Sequence, residues 1–304
     1  MKSCLYYWIG FWLLSFSACS SSSDQQSQDK KIIYVDDLHR QLVVSNPPKK
    51  VMALAPSMTE VLFAICDTNQ IVAITQNCNF PEAVKTKPIV NNYPMDYEAL
   101  LQVKPDMIFT VEGITPVTDA ERMAQMNIPV YYQTYTTVED ILEGMIRIGE
   151  IMGRQEQAQS LVDSLRSIKQ EISGRTSSLE KPSVLAITWQ DPIYAYGKNT
   201  IFTDKLHIAG AINAIDTVFE APFPALTREY ILKINPDVLL GGSFEHMDST
   251  FFRLYPELRK INAYKSKKIY AVTDDLQSRP SPRVMQSILE IEQLIHPTTA
   301  TTLK

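Results

Sequence analysis

NNYPMDYEALLQVKPDMIFT (91–110) has a counterpart later in the chain, APFPALTREYILKINPDVLL (221–240). Aligning Pro105–Asp106 with Pro236–Asp237 also aligns Glu98 with Glu229, Leu101 with Leu232 and Val103 with Ile234, all at an offset of 131. Each copy reads as a short helix with a glutamate near its start, a Pro-Asp stop and an apolar strand. The runs VMALA at 51 and SVLAI at 183, read as the first sheet strands of the two halves, are 132 residues apart. Strand, helix, glutamate and Pro-Asp recur in one order, so the chain reads as two similar α/β lobes.

Working outward, IIYVDDLHRQLVV (32–44) reads as two short strands around a polar turn. VMALA (51–55), IVAIT (71–75), MIFTV (107–111) and PVYYQ (129–133) are continuous apolar runs, as parallel strands covered on both faces require. Helical patterns separate them: one after PSMTE, where Ser57 and Glu60 have capping-box spacing, then 96–103, 116–126 and 138–152, closed by Gly153. RQEQAQSLVDSLRSIKQEISG (154–174) carries Ala158, Leu161, Val162, Leu165, Ile168 and Ile172 on one stripe. It spans roughly 30 Å, longer than a crossover needs. The pattern then restarts with VLAITW (184–189), a helix at 199–210, the second module, VLLGG (238–242), a helix at 248–260, KIYAV (268–272) and a last helix with Ser281–Pro282 as its N-cap and first residue. The expected fold is α/β: two lobes with parallel sheets joined by one long helix, with the ligand cleft between them.

The amino terminus reads differently. Lys2, the apolar run LYYWIGFWLLSF and the small residues before Cys19 suit a lipoprotein signal segment, with Phe16 where leucine is more usual. A plain secretory signal with a chance cysteine is the alternative. Cleavage before Cys19 would leave 286 residues for acylation at that thiol and move the net charge from −5 to −6. SSSSDQQSQDKK (20–31) has no apolar residue and reads as a tether, leaving the folded part in water beside a membrane. The expected organisation is a signal at 1–18, a tether at 19–31, an N-terminal lobe at 32–153, a linking helix at 154–178 and a C-terminal lobe at 179–304. Cys66 and Cys78 should lie at different levels of the first lobe, about 12 Å apart along a helix, and stay unbridged.

Catalytic signatures are missing from the sequence. It has no GxGxxG after a strand, no P-loop, no HExxH and no GxSxG. His39, His207, His246 and His296 fall in a turn, a helix, a loop and a chain end, without convergence on a metal site. Scattered lysines and arginines form no nucleic-acid stripe. The distinctive residues follow the strands, where two-lobe α/β proteins place their ligands. They are Pro56 and Ser57, Asn77 through Phe80, Glu112 and Gly113, Trp189 through Tyr196, and Asp274 through Arg283, with Tyr93 and Phe223 opening the two modules. Aromatic and amide groups with few charges suit a bulky, partly apolar ligand.

KKVMALAPSMTEVLFAI, VAITQNCNFP and PMDYEALLQVKPDMIF resemble the first lobe of type III periplasmic binding proteins. YGKNTIFTDKLHIAGAINA, PALTREYILKINPDVLL and RPSPRVMQSILEIEQLI resemble their second. The likeness runs from about residue 32 to 296 and is nearest to the cobalamin-binding subunits of corrinoid ABC importers. It implies two Rossmann-like lobes bridged by one long helix, no catalysis, no cofactor and no metal centre. Glu98 and Glu229 match the glutamates that dock into arginine pockets on the two permease subunits of the importer, which works with its ATPase subunits. Tyr93 and Phe223 stand near aromatics that face the corrin, Asp275 and Arg279 match polar residues that reach its side groups, and Trp189 lies close to another aromatic contact. Asn77 stands where a tyrosine is found, and Phe80 belongs to the same loop. The expected ligand is cobalamin or a related corrinoid held by a monomeric, envelope-anchored protein. Haem or a ferric siderophore is the alternative on the same fold, and a surface enzyme or metal-handling lipoprotein is the competing class.

Overall fold

A computed structural model describes residues 31–44 and 46–298. The expected signal segment, the Cys19 lipidation site and nearly all of the tether lie outside the described residues. The described chain opens with an antiparallel hairpin, β1 (Ile32–Val35) and β2 (Gln41–Val44). Its turn is organised by Asp36, whose carboxylate accepts from the Leu38 and Arg40 N–H groups at 3.1 and 2.9 Å.

The first sheet contains β3 (Val51–Ala53), β4 (Ile71–Ala73), β5 (Met107–Val111) and β6 (Val130–Gln133), all parallel, in the order β4-β3-β5-β6. Both faces of β3 and nearly all of β5 are buried, as their unbroken apolar runs demand. Helices α1 (Pro56–Ile65), α2 (Tyr97–Val103), α3 (Val117–Gln125) and α4 (Val138–Ile151) cover it. At α4 the Thr137 hydroxyl and Asp140 carboxylate form a capping box, and Gly153, at φ 64, lets the chain turn out of the helix into the next one. That next helix is α5 (Gln155–Thr176), 22 residues and about 33 Å long.

The second sheet repeats the first. Strands β7 (Ser183–Trp189), β8 (Tyr194–Ala195), β9 (Ile212–Asn213), β10 (Val238–Leu240) and β11 (Ile269–Tyr270) include a parallel set ordered β9-β7-β10-β11. That is the order of the first sheet, with β8 added antiparallel along the far half of β7. The helices are α6 (Ile201–Ile208), α7 (Arg228–Ile234), α8 (Phe244–Ser249), α9 (Phe251–Leu254), α10 (Asn262–Lys265), α11 (Asp274–Ser278) and α12 (Val284–Ile295).

The duplicated module is duplicated in detail. Helices α2 and α7 are seven residues each, capped by Asp96 and Thr227 and ended by Lys104 (φ 47) and Asn235 (φ 40), all at the offset of 131. The Pro-Asp aspartates share one job. Asp106 accepts from the Lys49 and Lys50 N–H groups at 2.9 Å, and Asp237 accepts from the Ser183 N–H and hydroxyl at 3.0 and 2.7 Å. Each carboxylate therefore ties the start of its own strand to the start of β3 or β7, the first sheet strand of its lobe.

One apolar cluster runs through both lobes, joining Val51 and Phe109 to Ile172, Phe202, Leu206 and Ile288. Helices α1, α4, α6 and α12 contribute to it between the sheets. Helix α5 is pinned at its middle and near its carboxyl end. Arg166 and Lys169 reach Glu139 of α4 at 2.5 and 2.7 Å, and Arg175 makes a two-point pair with the fully buried Glu292 of α12 at 2.6 and 2.7 Å.

Four local expectations need correction. The Ser57–Glu60 capping box does not form: Ala55 is the N-cap, Pro56 starts α1, and Glu60 is buried with other partners. The helix expected at 248–260 is broken into α8, α9 and a 3-10 turn (Pro256–Lys260). Thr250 bonds the His246 carbonyl through its hydroxyl at 2.8 Å, and Tyr255 before Pro256 lies outside the helical region (φ −128, ψ 67), so the helix cannot continue. His246 accordingly sits in a helix rather than a loop. Helix α12 begins at Val284 with Arg283 as its N-cap, while the buried Ser281 hydroxyl accepts the Arg283 N–H at 3.2 Å.

Candidate functional site

Because the parallel strands of each lobe point the same way, the loops after them share one end of the molecule. At that end of the second lobe lies a pocket of about 620 Å³. Trp189, Tyr196, Phe202, Leu240 and Val272 supply much of its wall, and Asp191 and Asp274 are the charged residues of its lining. Tyr196 stacks on Phe202 (4.5 Å between centroids, 15°) and meets the edge of Phe223 at 5.4 Å. Burial, helped by Asp274, pushes the Tyr196 phenol up to about 12. The Trp189 indole N–H donates to the Asp191 carbonyl at 2.8 Å, which holds the ring at the mouth.

One wall is the short helix α11, and its position is enforced from below. Lys205 of α6 is 1% exposed, and its ammonium donates to the Leu276 and Gln277 carbonyls at 3.2 and 2.9 Å. Those are carbonyls at the end of a helix, where a cation is favoured. Burial pushes Lys205 down to about 7, against the attraction of Glu290. Glu290 in turn accepts from the Thr273 N–H and hydroxyl at 2.9 and 2.7 Å and from the Gln277 amide at 2.8 Å.

Where α11 ends, its exit crosses to the first lobe. Arg283 grips Glu60 of α1 with two bonds, Nε to Oε2 at 2.8 Å and Nη2 to Oε1 at 2.5 Å. Arg279 adds Nη1 to Glu60 Oε1 at 3.0 Å. Arg279 also donates to Asn79 Oδ1 at 2.6 Å and to the Asn77 carbonyl at 3.3 Å, and pairs with Asp275 at 2.7 Å. Asn79 closes the ring by donating to Asp275 at 2.7 Å. The Phe80 ring covers the Arg283 guanidinium at 4.3 Å. The Glu60 side chain is 1% exposed and its two oxygens take three guanidinium bonds, so Glu60 with its arginines is a buried ionic bridge between lobes. On another part of the boundary, Asp204 of α6 accepts the Val138 N–H at the start of α4 at 2.8 Å.

The structure thus brings Asn77, Phe80, Asp275 and Arg279 into one network, while Trp189 lines the pocket beside it. Phe223 reaches the pocket through Tyr196. Tyr93 stands apart, 89% exposed at the opening of the first module. Glu98 and Glu229 are exposed on the first turns of α2 and α7. Each of these helices leads into a strand and runs back against it, so each glutamate stands at the strand-end level of its lobe. The glutamate's own backbone N–H and then the Thr227 hydroxyl hold the Glu229 carboxyl below its ordinary range. Cys66 ends α1 and is buried, its thiol pushed up to about 12 by burial; Cys78 lies instead between the Thr59 and Thr75 hydroxyls at 3.3 Å, and both thiols are free.

Glu60 and Lys205, with the pocket residues Phe202, Leu240 and Val272, are site residues that the sequence reading passes over. A signal was present for Glu60: its neighbours Met58, Val61, Leu62 and Ile65 are all apolar, so the carboxylate had to be buried and therefore paired. Among the described residues no group of three or more His, Cys, Asp and Glu side chains could hold a metal, and no helix is long and apolar enough to cross a membrane.

The periplasmic binding protein family model matches residues 51–276. An uncharacterised ABC transporter substrate-binding lipoprotein of Bacillus subtilis, YvrC, is 26% identical over 297 residues, covering 93% of each chain. A vitamin B12-binding protein of Vibrio parahaemolyticus is 21% identical over 265 residues, covering 86% of this chain and 95% of that one. In structure, a periplasmic heme binding protein from Pseudomonas aeruginosa superposes with a TM-score of 0.72 at 18% identity, covering 84% of this chain and 95% of its own.

Proposed function

Since this chain belongs to the periplasmic binding protein family, we propose that it captures a corrinoid, cobalamin or cobinamide, between its lobes and delivers it to an ABC importer. The family consists of solute-binding proteins, not enzymes, and its members carry transported ligands rather than cofactors. In this reading the ligand is cargo, and the partners are a permease dimer with its ATPase subunits. Cys19 carries the lipid that holds the protein at the envelope, and the folded part works outside the cytoplasm.

The pocket lining carries the ligand assignment. A broad wall of Trp189, Tyr196, Phe202 and Val272 with two carboxylates suits a large, uncharged or cationic ring system. It offers nothing cationic to propionates or catecholates. In the proposed pose Trp189 and Phe223 face the ring from the second lobe and Tyr93 from the first. Asn77, Phe80, Asp275 and Arg279 form the polar lip that meets its side groups. Capture needs no large motion, because α5 and the shared core restrict the lobes to small flexing.

Trp189 is the single tryptophan after residue 18, so its fluorescence reports the site alone. Titrating the protein from residue 19 onward with cyanocobalamin should quench that emission to a one-to-one end point, with matching stoichiometry by calorimetry. If cyanocobalamin and cobinamide leave the signal and the heat unchanged while haem or a ferric siderophore titrates both, the corrinoid assignment is wrong.

A further inference from the structure

The cleft presents two arginines, yet the charge of each is already paired within the protein. Arg279 and Arg283 are 10% and 16% exposed in their side chains, and both point at the same buried carboxylate, Glu60. Arg283 spends Nε and Nη2 on Glu60, and its guanidinium face lies under Phe80. Arg279 spends Nη1 on Glu60 and Asn79, and Nη2 on Asp275 and the Asn77 carbonyl. Two positive charges thus meet two negative ones, and the adjoining pocket adds Asp191 and Asp274.

We propose that Glu60 determines the charge class of ligand this cleft accepts: by neutralising Arg279 and Arg283 from the opposite lobe, it withholds them from anions and reserves the site for neutral or cationic ligands. The carboxylate does this without touching the ligand, because its side chain is sealed under the lip. Its partners lie 219 and 223 residues away in sequence, so the neutralisation depends on the two lobes being together. In a low-dielectric setting a guanidinium stripped of its carboxylate is a strong anion receptor, and Asp275 alone cannot compensate two. The inference rests on the cleft being the ligand site, as proposed above, but not on the ligand being a corrinoid.

The test compares two probes, cyanocobalamin and the trianionic ferric complex of a tris-catecholate siderophore, by calorimetry and Trp189 quenching. Folding is checked by circular dichroism. The wild-type protein should bind the ferric complex only weakly, well below its affinity for cyanocobalamin. Glu60→Gln should improve the ratio of ferric-complex to cyanocobalamin affinity by at least about tenfold, a shift of about 1.4 kcal/mol. The gained affinity should fall as salt rises, which a merely structural loosening would not produce. Asp275→Asn, at a side chain 38% exposed, should move the ratio the same way by a smaller factor, and it decides the matter if Glu60→Gln does not fold. Strong binding of the ferric complex by the wild type overturns the proposal, and so does a folded variant with no gain. If the wild type ignores cyanocobalamin but the variants gain the ferric complex, the corrinoid reading fails and the role of Glu60 stands.

Discussion

Glu60 and Lys205 are each the fifth residue of equivalent helices, α1 and α6, and each is a buried charge that grips the same segment of chain. Lys205 holds the Leu276 and Gln277 carbonyls from within the second lobe. Glu60 holds Arg279 and Arg283, a few residues on, from the first lobe. The duplicated fold has thus placed opposite charges at matching positions, and the span from Leu276 to Arg283 is clamped between them. That span forms both the pocket wall and the lip, so site geometry and lobe contact are set by one device.

The lysine half of the clamp has a pH signature. Burial puts the Lys205 ammonium at about 7 in the folded protein, against roughly 10.4 in an unfolded chain. Between those values the unfolded state binds the extra proton, so this group makes stability rise with pH, by up to ~1.4 kcal/mol per unit. Below about pH 7 its penalty is constant. Urea midpoints measured between about pH 7 and 9 should climb in the wild type, and Lys205→Met should flatten the climb. A slope unchanged by the substitution would mean that Lys205 stays charged throughout.

A different buried charge secures the linking helix. Glu292 is fully buried and makes its two-point pair with Arg175 near the end of α5. Arg175→Met leaves that carboxylate unpaired and should cost about 3–5 kcal/mol, read from denaturant midpoints. Arg175→Met with Glu292→Met removes both charges and should recover most of the loss. If the double variant is no better than the single one, packing of the arginine stem rather than charge pairing holds the helix.

The Pro-Asp dipeptides predict a second pH effect, at the acid end. Burial works against the Asp237 carboxylate, but the Ser183 hydroxyl and N–H and the Asn262 amide outweigh it and hold the carboxyl below its ordinary range. Stability from this group is therefore present above about pH 4, the unfolded value, and is lost as pH falls through the lower folded one. Asp237→Asn should cost about 1–3 kcal/mol at neutral pH, with the gap to wild type closing in acid. A gap independent of pH would assign the cost to geometry instead.

How much of this could be read beforehand depends on the distance over which each residue finds its partner. The 131-residue repeat, the continuous apolar strands and the stripe along α5 are local patterns, and they predict the lobes, sheets and bridge correctly. Residues 138–152 show the same, since Thr137 and Asp140 cap their helix locally. Ser57 and Glu60 imitate that signature, yet Glu60 answers to arginines more than 200 residues away, which no window detects. Strands β8 and β9, two residues each, are too short to carry a period. The break before Pro256 was legible in principle, because a residue preceding proline avoids the helical region. Among the candidate site residues, the sequence lists loops that follow the strands but not their groupings. Asn77, Asp275 and Arg279 meet only because α11 is held against α1.

The last prediction concerns the permease. Glu98 and Glu229 are related by the repeat, exposed, and placed on the first turns of helices that begin at the strand-end level of each lobe. Carboxylates in a first helical turn are favoured by the helix dipole. A pair of such groups, one per lobe, matches a symmetric partner that offers one guanidinium pocket per subunit. Replacing both by arginine should cut stimulation of the importer's ATPase by at least about tenfold, since like charges facing across an interface cost several kcal/mol. Cyanocobalamin affinity, measured by Trp189 quenching on the same variant, should be retained, because neither glutamate lines the pocket. Single replacements should give intermediate losses if the two contacts are equivalent. Lost ligand affinity, or full ATPase stimulation by the double variant, would remove the docking role from these residues.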